Sequence, residues 1–201
     1  MRQCGSKLKL LQTAHELIHQ QSYGAVGVEQ ICARSGVKKG SFYHFFRSKS
    51  DLTVAAYQYH WDQIRARWEA IFGSDQAPLQ RIDAYLDFLL ASQRERAEKY
   101  GRLLGCPFIS LGSELSTQDE QIRRMAQEIC DQRCAYLAAT LGDAMAAGEI
   151  PTSDPRVLAC EVHSYIMGVV QQAKIANDLR VLDGLKPGVH RILRVEQPVL
   201  A

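Results

Sequence analysis

Apolar residues recur along most of the chain at intervals of three and four positions. This spacing places their side chains on one face of an α-helix, whereas the two-residue alternation typical of a half-buried strand is not evident. The pattern therefore predicts an all-α fold. Two of the stripes consist of Leu10, Ala14, Leu17 and Ile18, and of Leu158, Val162, Tyr165, Ile166, Val169 and Ala173.

Residues that favour helix ends divide this pattern into segments. Ser48 with Asp51, and Thr117 with Glu120, have the spacing of capping boxes, in which side chains accept hydrogen bonds from the free N–H groups of a first turn. Pro155 suits a first-turn position because it has no N–H to satisfy. We therefore expect helices to begin shortly after Ser48 and Thr117 and at Pro155.

The segment from residue 28 to residue 46 has the spacing of a helix–turn–helix motif. A short helix within residues 28–37 would turn Val28, Ile31 and Cys32 inward, and Gly36 can take the left-handed conformation that ends it. A second short helix, at about residues 39–46, follows after a turn of a few residues.

Two residue classes on this second helix serve two faces. Phe42 and Phe46, together with Phe45, anchor the helix to the core, and the polar residues between them point outward. A helix presented this way fits the major groove of DNA. The predicted DNA-binding residues are Lys38, Lys39, Gly40, Ser41, Tyr43, His44 and Lys49, the last of these as a phosphate contact.

Charge along the chain agrees with a DNA-binding head at the N-terminal end. Residues 1–52 carry eight Lys and Arg against three acidic residues, and the remainder carries sixteen against nineteen, for a net charge of +2 over 201 residues. A basic head suggests a polyanionic partner. We predict a DNA-binding domain over residues 1–50 and an inducer-binding and dimerisation domain over residues 51–201.

The start of the chain lacks the apolar block of a signal peptide, and no apolar run approaches the ~20 residues that cross a membrane. We expect a cytoplasmic protein with no membrane partner.

The N-terminal quarter closely resembles the DNA-binding head of TetR-family transcriptional repressors. This resemblance implies a homodimer on a pseudo-palindromic double-stranded DNA operator, with a body that binds an inducer. One departure is that family members usually have Ser or Thr where this chain has Val26 and Gly27. The matching residues are Ile31, Gly36, Val37, Lys39, Gly40, Ser41, Phe42, Tyr43, His44, Phe46, Ser48, Lys49, Asp51 and Leu52.

Two apolar segments near the C-terminus are the candidates for the dimer interface. The first has the apolar middle YIMGVV within residues 155–179, where Gly168 allows close approach of helices. Lys186, Pro187 and Gly188 predict a kink or a late start in the second. Pairing of both segments with their twins would give an isologous interface. The apolar stripe of the second segment is Leu182, Leu185, Val189, Ile192 and Leu193.

The segments RLLGCPFISLGSEL (102–115), KGSFYHFFRSKSD and QQAKI (171–175) resemble the branch of this family that senses electrophiles and oxidants, typified by the repressor of N-ethylmaleimide reductase. The reactive cysteine of that branch corresponds to Cys106. Pro107 predicts a helix start beside it, where the dipole favours a thiolate, and Arg102 could add positive charge. The other sensor or inducer candidates are Lys174, Trp61, Phe108 and Tyr165.

Other interpretations remain open. Cys106 could be a small buried hydrophobe, in which case a non-covalent hydrophobic inducer would act. A non-specific nucleic-acid binder is a further alternative. No nucleophile–base arrangement, catalytic carboxylate pair or phosphate loop is present, so neither an enzyme nor a bound cofactor is expected. A zinc site would need two helices to touch; both residue pairs also fit amphipathic packing, and no metal site is predicted. The residues concerned are Cys130, Cys134, Cys160 and His163.

Overall fold

The computed structural model describes the backbone of residues 2–195 and the side chains of residues 5–195. Over this range the secondary structure comprises nine α-helices and one 3₁₀ helix, without a β-strand, which confirms the all-α prediction. The helices in chain order are α1 (Arg2–Gln21), α2 (Val28–Ser35), α3 (Lys39–Phe45), α4 (Lys49–Phe72), α5 (Pro78–Tyr100), α6 (Pro107–Leu115), α7 (Glu120–Ala146), α8 (Pro155–Ala176), the 3₁₀ helix (Leu179–Gly184) and α9 (Leu185–Leu193).

The chain divides into two compact units. The first contains the residues up to Ala66 together with Pro107–Cys130, and the second contains Arg67–Cys106 together with the residues from Asp131 onward. Helices α4 and α7 therefore contribute residues to both units. None of the described helices is long and apolar enough to span a membrane. The predicted functional division at residue 50 stays a prediction, because compactness does not test which residues bind DNA.

In the first unit, α1 packs against α2 and α3. Leu10, Ile31 and Phe42 are fully buried at 0 % exposure and form part of the core of this three-helix group. Helix α2 ends at Gly36, whose φ of 68° is the left-handed conformation predicted for it. The helix–turn–helix spacing read from the sequence is therefore present, with α3 one residue shorter than expected.

Side-chain caps fix where two helices begin. Asp51 donates its N–H to Ser48 Oγ at 3.0 Å and accepts a hydrogen bond from the Arg47 N–H at 2.9 Å, so the first predicted cap is confirmed. The second was wrong in its residue. Asp119, not Thr117, accepts from the N–H groups of Gln121 and Ile122 at 3.0 and 3.1 Å, because its carboxylate lies next to the first turn of α7.

In the second unit, α8 packs against the 3₁₀ helix and α9. Asp154 caps α8 by accepting from the N–H groups of Arg156 and Val157, and Pro155 occupies the first turn as predicted. The apolar stripe that we expected to face a partner subunit is largely buried within the chain itself: Leu182, Leu185, Val189 and Leu193 are at most 2 % exposed. The exposed apolar residues of this region are Val157, Ile175 and Leu179.

Gly188 is required for the packing of α9 on α8. The hydroxyl of Tyr165 donates to the Gly184 carbonyl at 3.0 Å, and it occupies the space where a Cβ on Gly188 would lie, with only 1.8 Å between them. A Cβ on Gly184 would meet no atom within 4 Å among the described residues, apart from its immediate chain neighbours.

We therefore predict that Gly188→Ala lowers the free energy of unfolding by about 1–3 kcal/mol, because Tyr165 must move and give up its hydrogen bond. Gly184→Ala is the matched control and should change it by less than about 1 kcal/mol. Thermal or denaturant unfolding followed by circular dichroism measures both. Equal stability of the two variants would contradict the packing described here.

Candidate nucleic-acid interface and thiol site

Helix α3 presents a polar face on an aromatic base. Phe42 and Phe46 are 0 % and 4 % exposed, and their ring centroids lie 6.0 Å apart. Tyr43, on the opposite face, is 55 % exposed. Burial of these two phenylalanines holds the helix in place, and Tyr43 and His44 between them are exposed to solvent. Among the predicted DNA-binding residues, Lys38, Lys39, Gly40, Tyr43 and His44 are exposed, whereas Ser41 and Lys49 are half-buried.

One of these cations is shared with the neighbouring helix. The ammonium of Lys39 forms an ion pair with Glu29 of α2, and its hydrogen bond lowers the pKa of that carboxyl. Both side chains are more than half exposed, so the pair contributes little to stability. Lys38 precedes α3 with extended backbone and adds its charge at the positive end of the helix dipole.

Lys49 is engaged inside the head. Its ammonium donates to the carbonyl oxygens of Tyr23 and Val26 at 3.0 Å each and lies 3.7 Å from the centroid of the Tyr23 ring. Burial lowers its pKa, an effect that Glu114 partly offsets. These contacts hold the loop between α1 and α2. The phosphate contact predicted for Lys49 stays a prediction.

Glu114 of α6 holds the same loop from the other side. Its two carboxylate oxygens accept hydrogen bonds from the backbone N–H groups of Tyr23 at 3.1 Å and Gly24 at 2.9 Å. A carboxylate that accepts two backbone N–H groups makes a charge-assisted, two-point attachment. Sequence reasoning missed this residue, and no local pattern points to it, since its partners lie about 90 positions away.

Cys106 is buried beside a guanidinium. It is 7 % exposed and immediately precedes Pro107, the first residue of α6, as predicted. Nη1 of Arg133, on α7, donates to Cys106 Sγ at 3.3 Å. Arg133 is itself only 5 % exposed, and its guanidinium carbon lies 4.9 Å from the centroid of the Trp68 ring, a cation–π contact. The cation beside the thiol is therefore Arg133; Arg102, expected from sequence proximity, is exposed.

The surroundings of Arg133 keep it charged. Burial alone would lower its pKa, but the attraction of Cys106 and Tyr85 outweighs burial, and the net direction is upward. The signal for Arg133 was available in the sequence. It occupies an inward-facing position of α7 between the buried Ile129 and Leu137, where an apolar residue is usual.

Lys174 lies next to the residue before Cys106. A Cβ placed on Gly105 would be 3.0 Å from Cδ of Lys174 and 3.4 Å from its Cβ, and Gly105 has a φ of 71° that favours glycine. The structure thus brings Lys174 of α8 against the Gly105–Cys106 segment. Whether it takes part in sensing stays a prediction.

The aromatic candidates are divided between the two units. Trp61 and Phe108 pack edge to face within the first unit, with centroids 6.1 Å apart. Cys106 belongs to the second unit. Tyr165 lies against α9, as described above. The rings of Trp68 and Tyr85, with centroids 4.7 Å apart, form part of the packed interior of the second unit.

The remaining cysteines form no metal site within the described residues, where no group of three or more suitable ligands occurs. Cys134 and Cys160 line one cavity of about 710 Å³, together with other residues that include alanines of α7. His163 is buried instead and experiences the charge of Arg133. The side chain of Cys4 lies outside the described residues.

Comparison with known proteins identifies related regulators. The chain is 25 % identical over 192 residues to the HTH-type transcriptional repressor NemR of Escherichia coli strain K12, covering 92 % of each chain. It is 28 % identical over 169 residues to the transcriptional regulator AcuR of Cereibacter sphaeroides, covering 83 % of this chain and 75 % of that one.

Solved structures share the fold. The reduced form of E. coli NemR superposes with a TM-score of 0.83 at 24 % identity, covering 97 % of this chain and 99 % of that one. A regulatory protein TetR from Rhodobacter sphaeroides gives 0.82 at 24 % identity, covering 92 % and 97 %.

Two family models match the two parts of the chain. The model for bacterial regulatory proteins of the tetR family matches residues 10–56, and the tetracyclin repressor-like C-terminal domain matches residues 78–187. The second match alone covers more than half of the chain. The arrangement of α2 and α3, the helical body and these matches together show that the chain belongs to the TetR family of transcriptional regulators.

Proposed function

We propose that the chain is a dimeric repressor that binds a pseudo-palindromic operator through α3 and is released when Cys106 is modified. The observation that supports DNA binding is the face of α3, where Lys38, Tyr43 and His44 are exposed on buried aromatic anchors. A two-fold dimer would set two such helices about 34–36 Å apart, or a multiple of that distance, to meet successive major grooves.

Modification of Cys106 is supported by its contact with Arg133. A cation within hydrogen-bond distance of the sulfur stabilises negative charge on it, and the thiolate is the nucleophilic form. With N-ethylmaleimide, Sγ forms a bond to one alkene carbon, the carbon–carbon π bond breaks, and a proton from solvent adds to the other carbon. The 25 % identical NemR is a transcriptional repressor, and the solved E. coli NemR structure is that of a reduced form.

Helix α6 offers the route from the thiol to the head. Cys106 is joined directly to its first residue, and Glu114 near its last residue holds the backbone of Tyr23 and Gly24. Because Cys106 is only 7 % exposed, the bulk of the added group has to be accommodated by a shift of residue 106. Movement of α6 would then shift the loop between α1 and α2, and with it the position of α3.

A second candidate is release by a non-covalent hydrophobic ligand. The cavity lined by Cys134, Cys160 and the alanines of α7 has a volume within the range of small-molecule sites. Ligand-dependent DNA release that survives Cys106→Ser would favour this alternative.

We predict that Lys38→Ala makes DNA binding less steeply dependent on salt. Each lost phosphate contact lowers the slope of log K against log salt by about 0.9, so a dimer loses about two units. Fluorescence anisotropy on an operator selected from random DNA measures the slope. Lys99→Ala, on α5, makes the same charge change outside the head and should keep the wild-type slope. If the two variants had equal slopes of log K against log salt, Lys38 would not be a phosphate contact.

Treatment with N-ethylmaleimide should weaken operator binding of the wild-type protein by about 5–150-fold, the usual range of allosteric coupling. Cys106→Ser should abolish this effect. Cys160→Ser is the matched control, because Cys160 is an exposed thiol, and it should respond as the wild type does. Release of Cys106→Ser to the same extent as the wild type would overturn the sensor role of Cys106.

Glu114→Gln should uncouple the thiol from DNA. The amide keeps one oxygen acceptor but loses the charge, so its hold on the Tyr23 and Gly24 N–H groups weakens. With labelling of Cys106 verified as complete by mass spectrometry, alkylation should reduce operator affinity by a smaller factor than in the wild type. Glu161→Gln, an exposed change on α8, should retain the full factor. If alkylation reduced the operator affinity of Glu114→Gln as much as that of the wild type, the route through α6 would be excluded.

A further inference from the structure

The charge of Arg133 is buried without a carboxylate to balance it. At 5 % exposure its guanidinium contacts Cys106 Sγ and the Trp68 ring, and no Asp or Glu within the described part of the chain pairs with it. A buried charge is costly unless it is paired and fully hydrogen-bonded. Its Nε atom, moreover, has no hydrogen-bond partner among the described residues.

Two neutral side chains in the same environment also have unused hydrogen-bonding capacity. The Tyr85 hydroxyl is near the guanidinium, and in the described part of the chain neither this hydroxyl nor either ring nitrogen of His163 has a hydrogen-bond partner. They are 1 % and 7 % exposed. Burial raises the pKa of Tyr85, although Arg133 offsets part of this, so the hydroxyl keeps its proton as a donor.

His163 is a neutral neighbour rather than a second cation. Burial, with a further contribution from the charge of Arg133, lowers its pKa to about 4. At neutral pH its imidazole therefore has one N–H donor and one acceptor nitrogen. Arg133 and Tyr85, which both contact the Trp68 ring, offer a positive charge and a further donor, which is the complement of a carboxylate.

We propose that Arg133 and Tyr85 form a binding site for the carboxylate of a small electrophile whose carbon then reacts with Cys106. This inference rests on the proposed sensor role of Cys106 and adds the chemical class of the inducer. The planar guanidinium holds a carboxylate through Nε and a terminal nitrogen, while Nη1 remains directed at Sγ. The anion and the nucleophile are thereby held by one side chain.

The reaction is an alkylation. With a conjugated unsaturated acid, Sγ bonds to the β carbon, the π bond breaks, and the proton lost by the thiol is replaced by one from solvent on the α carbon. With a haloacetate, Sγ displaces halide and the thiol proton passes to solvent. In both, the carboxylate itself takes no part in the bonds made and broken. Tethering of this kind raises the local concentration of the reacting carbon.

Iodoacetate and iodoacetamide are the matched probes. They place the same leaving group on the same carbon and differ in one negative charge. The reduced full-length protein is treated with each at neutral pH, with glutathione in the same tube as the reference thiol. Peptide mass spectrometry then gives the rate at Cys106 for each reagent. The measured quantity is the iodoacetate to iodoacetamide rate ratio at Cys106, divided by that of glutathione.

We expect this normalised ratio to be about ten in the wild type, because one hydrogen bond to a charged group has an effect of that size. Arg133→Lys should keep most of the selectivity and Arg133→Met should bring the ratio to about one. Tyr85→Phe removes only an unbonded hydroxyl, so it should fold normally and lower the ratio partially. A wild-type ratio of one or less overturns the proposal, and so does an elevated ratio that neither Arg133→Met nor Tyr85→Phe reduces.

This experiment does not involve DNA. A wild-type ratio of one would therefore leave Cys106 as a sensor of neutral electrophiles, with the carboxylate site removed. Persistence of N-ethylmaleimide-induced release in Cys106→Ser would remove the sensor role, whatever the charge selectivity of the thiol.

Discussion

The contact between the Arg133 guanidinium and Cys106 Sγ organises the interior of the second unit. Because the Arg133 side chain is only 5 % exposed, the side chains around it must compensate for the hydration that its charge has lost. Trp68 offers the face of its ring, Tyr85 keeps a neutral hydroxyl, and His163 is held neutral. Replacement of the cation by an apolar side chain would allow a simpler core. The Arg133 charge faces the Cys106 thiol, where an apolar side chain could not act on the sulfur.

The first unit is organised by attachment of backbone rather than by apolar packing alone. Phe42 and Phe46 fix α3, but the loop between α1 and α2 is held by a cation on one side and a carboxylate on the other, Lys49 and Glu114. Both bind main-chain groups, and the Lys49 ammonium also lies over the ring of Tyr23, a side chain of the loop. The loop that precedes the helix–turn–helix is thus held by residues outside the motif itself.

Local patterns in the sequence were sufficient for the fold of the head. The spacing of apolar residues and the left-handed glycine at residue 36 act over a few positions, so α2 and α3 could be predicted from them. The cap of α7 was misplaced by two residues because Thr117 and Asp119 are both good capping residues, and only the folded chain selects between them.

The environment of the thiol depends on contacts that no local pattern contains. Cys106 could be singled out by resemblance, but its partner Arg133 lies 27 positions further along the chain. An arginine in the apolar stripe of α7 was the one available signal, and it does not say what the charge faces. Glu114 gave none, because an exposed-looking glutamate on a short helix is ordinary. Long-range polar contacts are fixed by tertiary packing, which periodicity does not encode.

The inward-facing stripe of α9 has a consequence for assembly. Leu185, Val189 and Leu193 are buried within the chain to which they belong. Gly188 allows α9 to pack closely against Tyr165. The α9 stripe is therefore already covered within one chain and offers no apolar area to a second one. In this region the large apolar side chains that stay exposed are Val157, Ile175 and Leu179, so any apolar contact made here would have to use them rather than the α9 stripe.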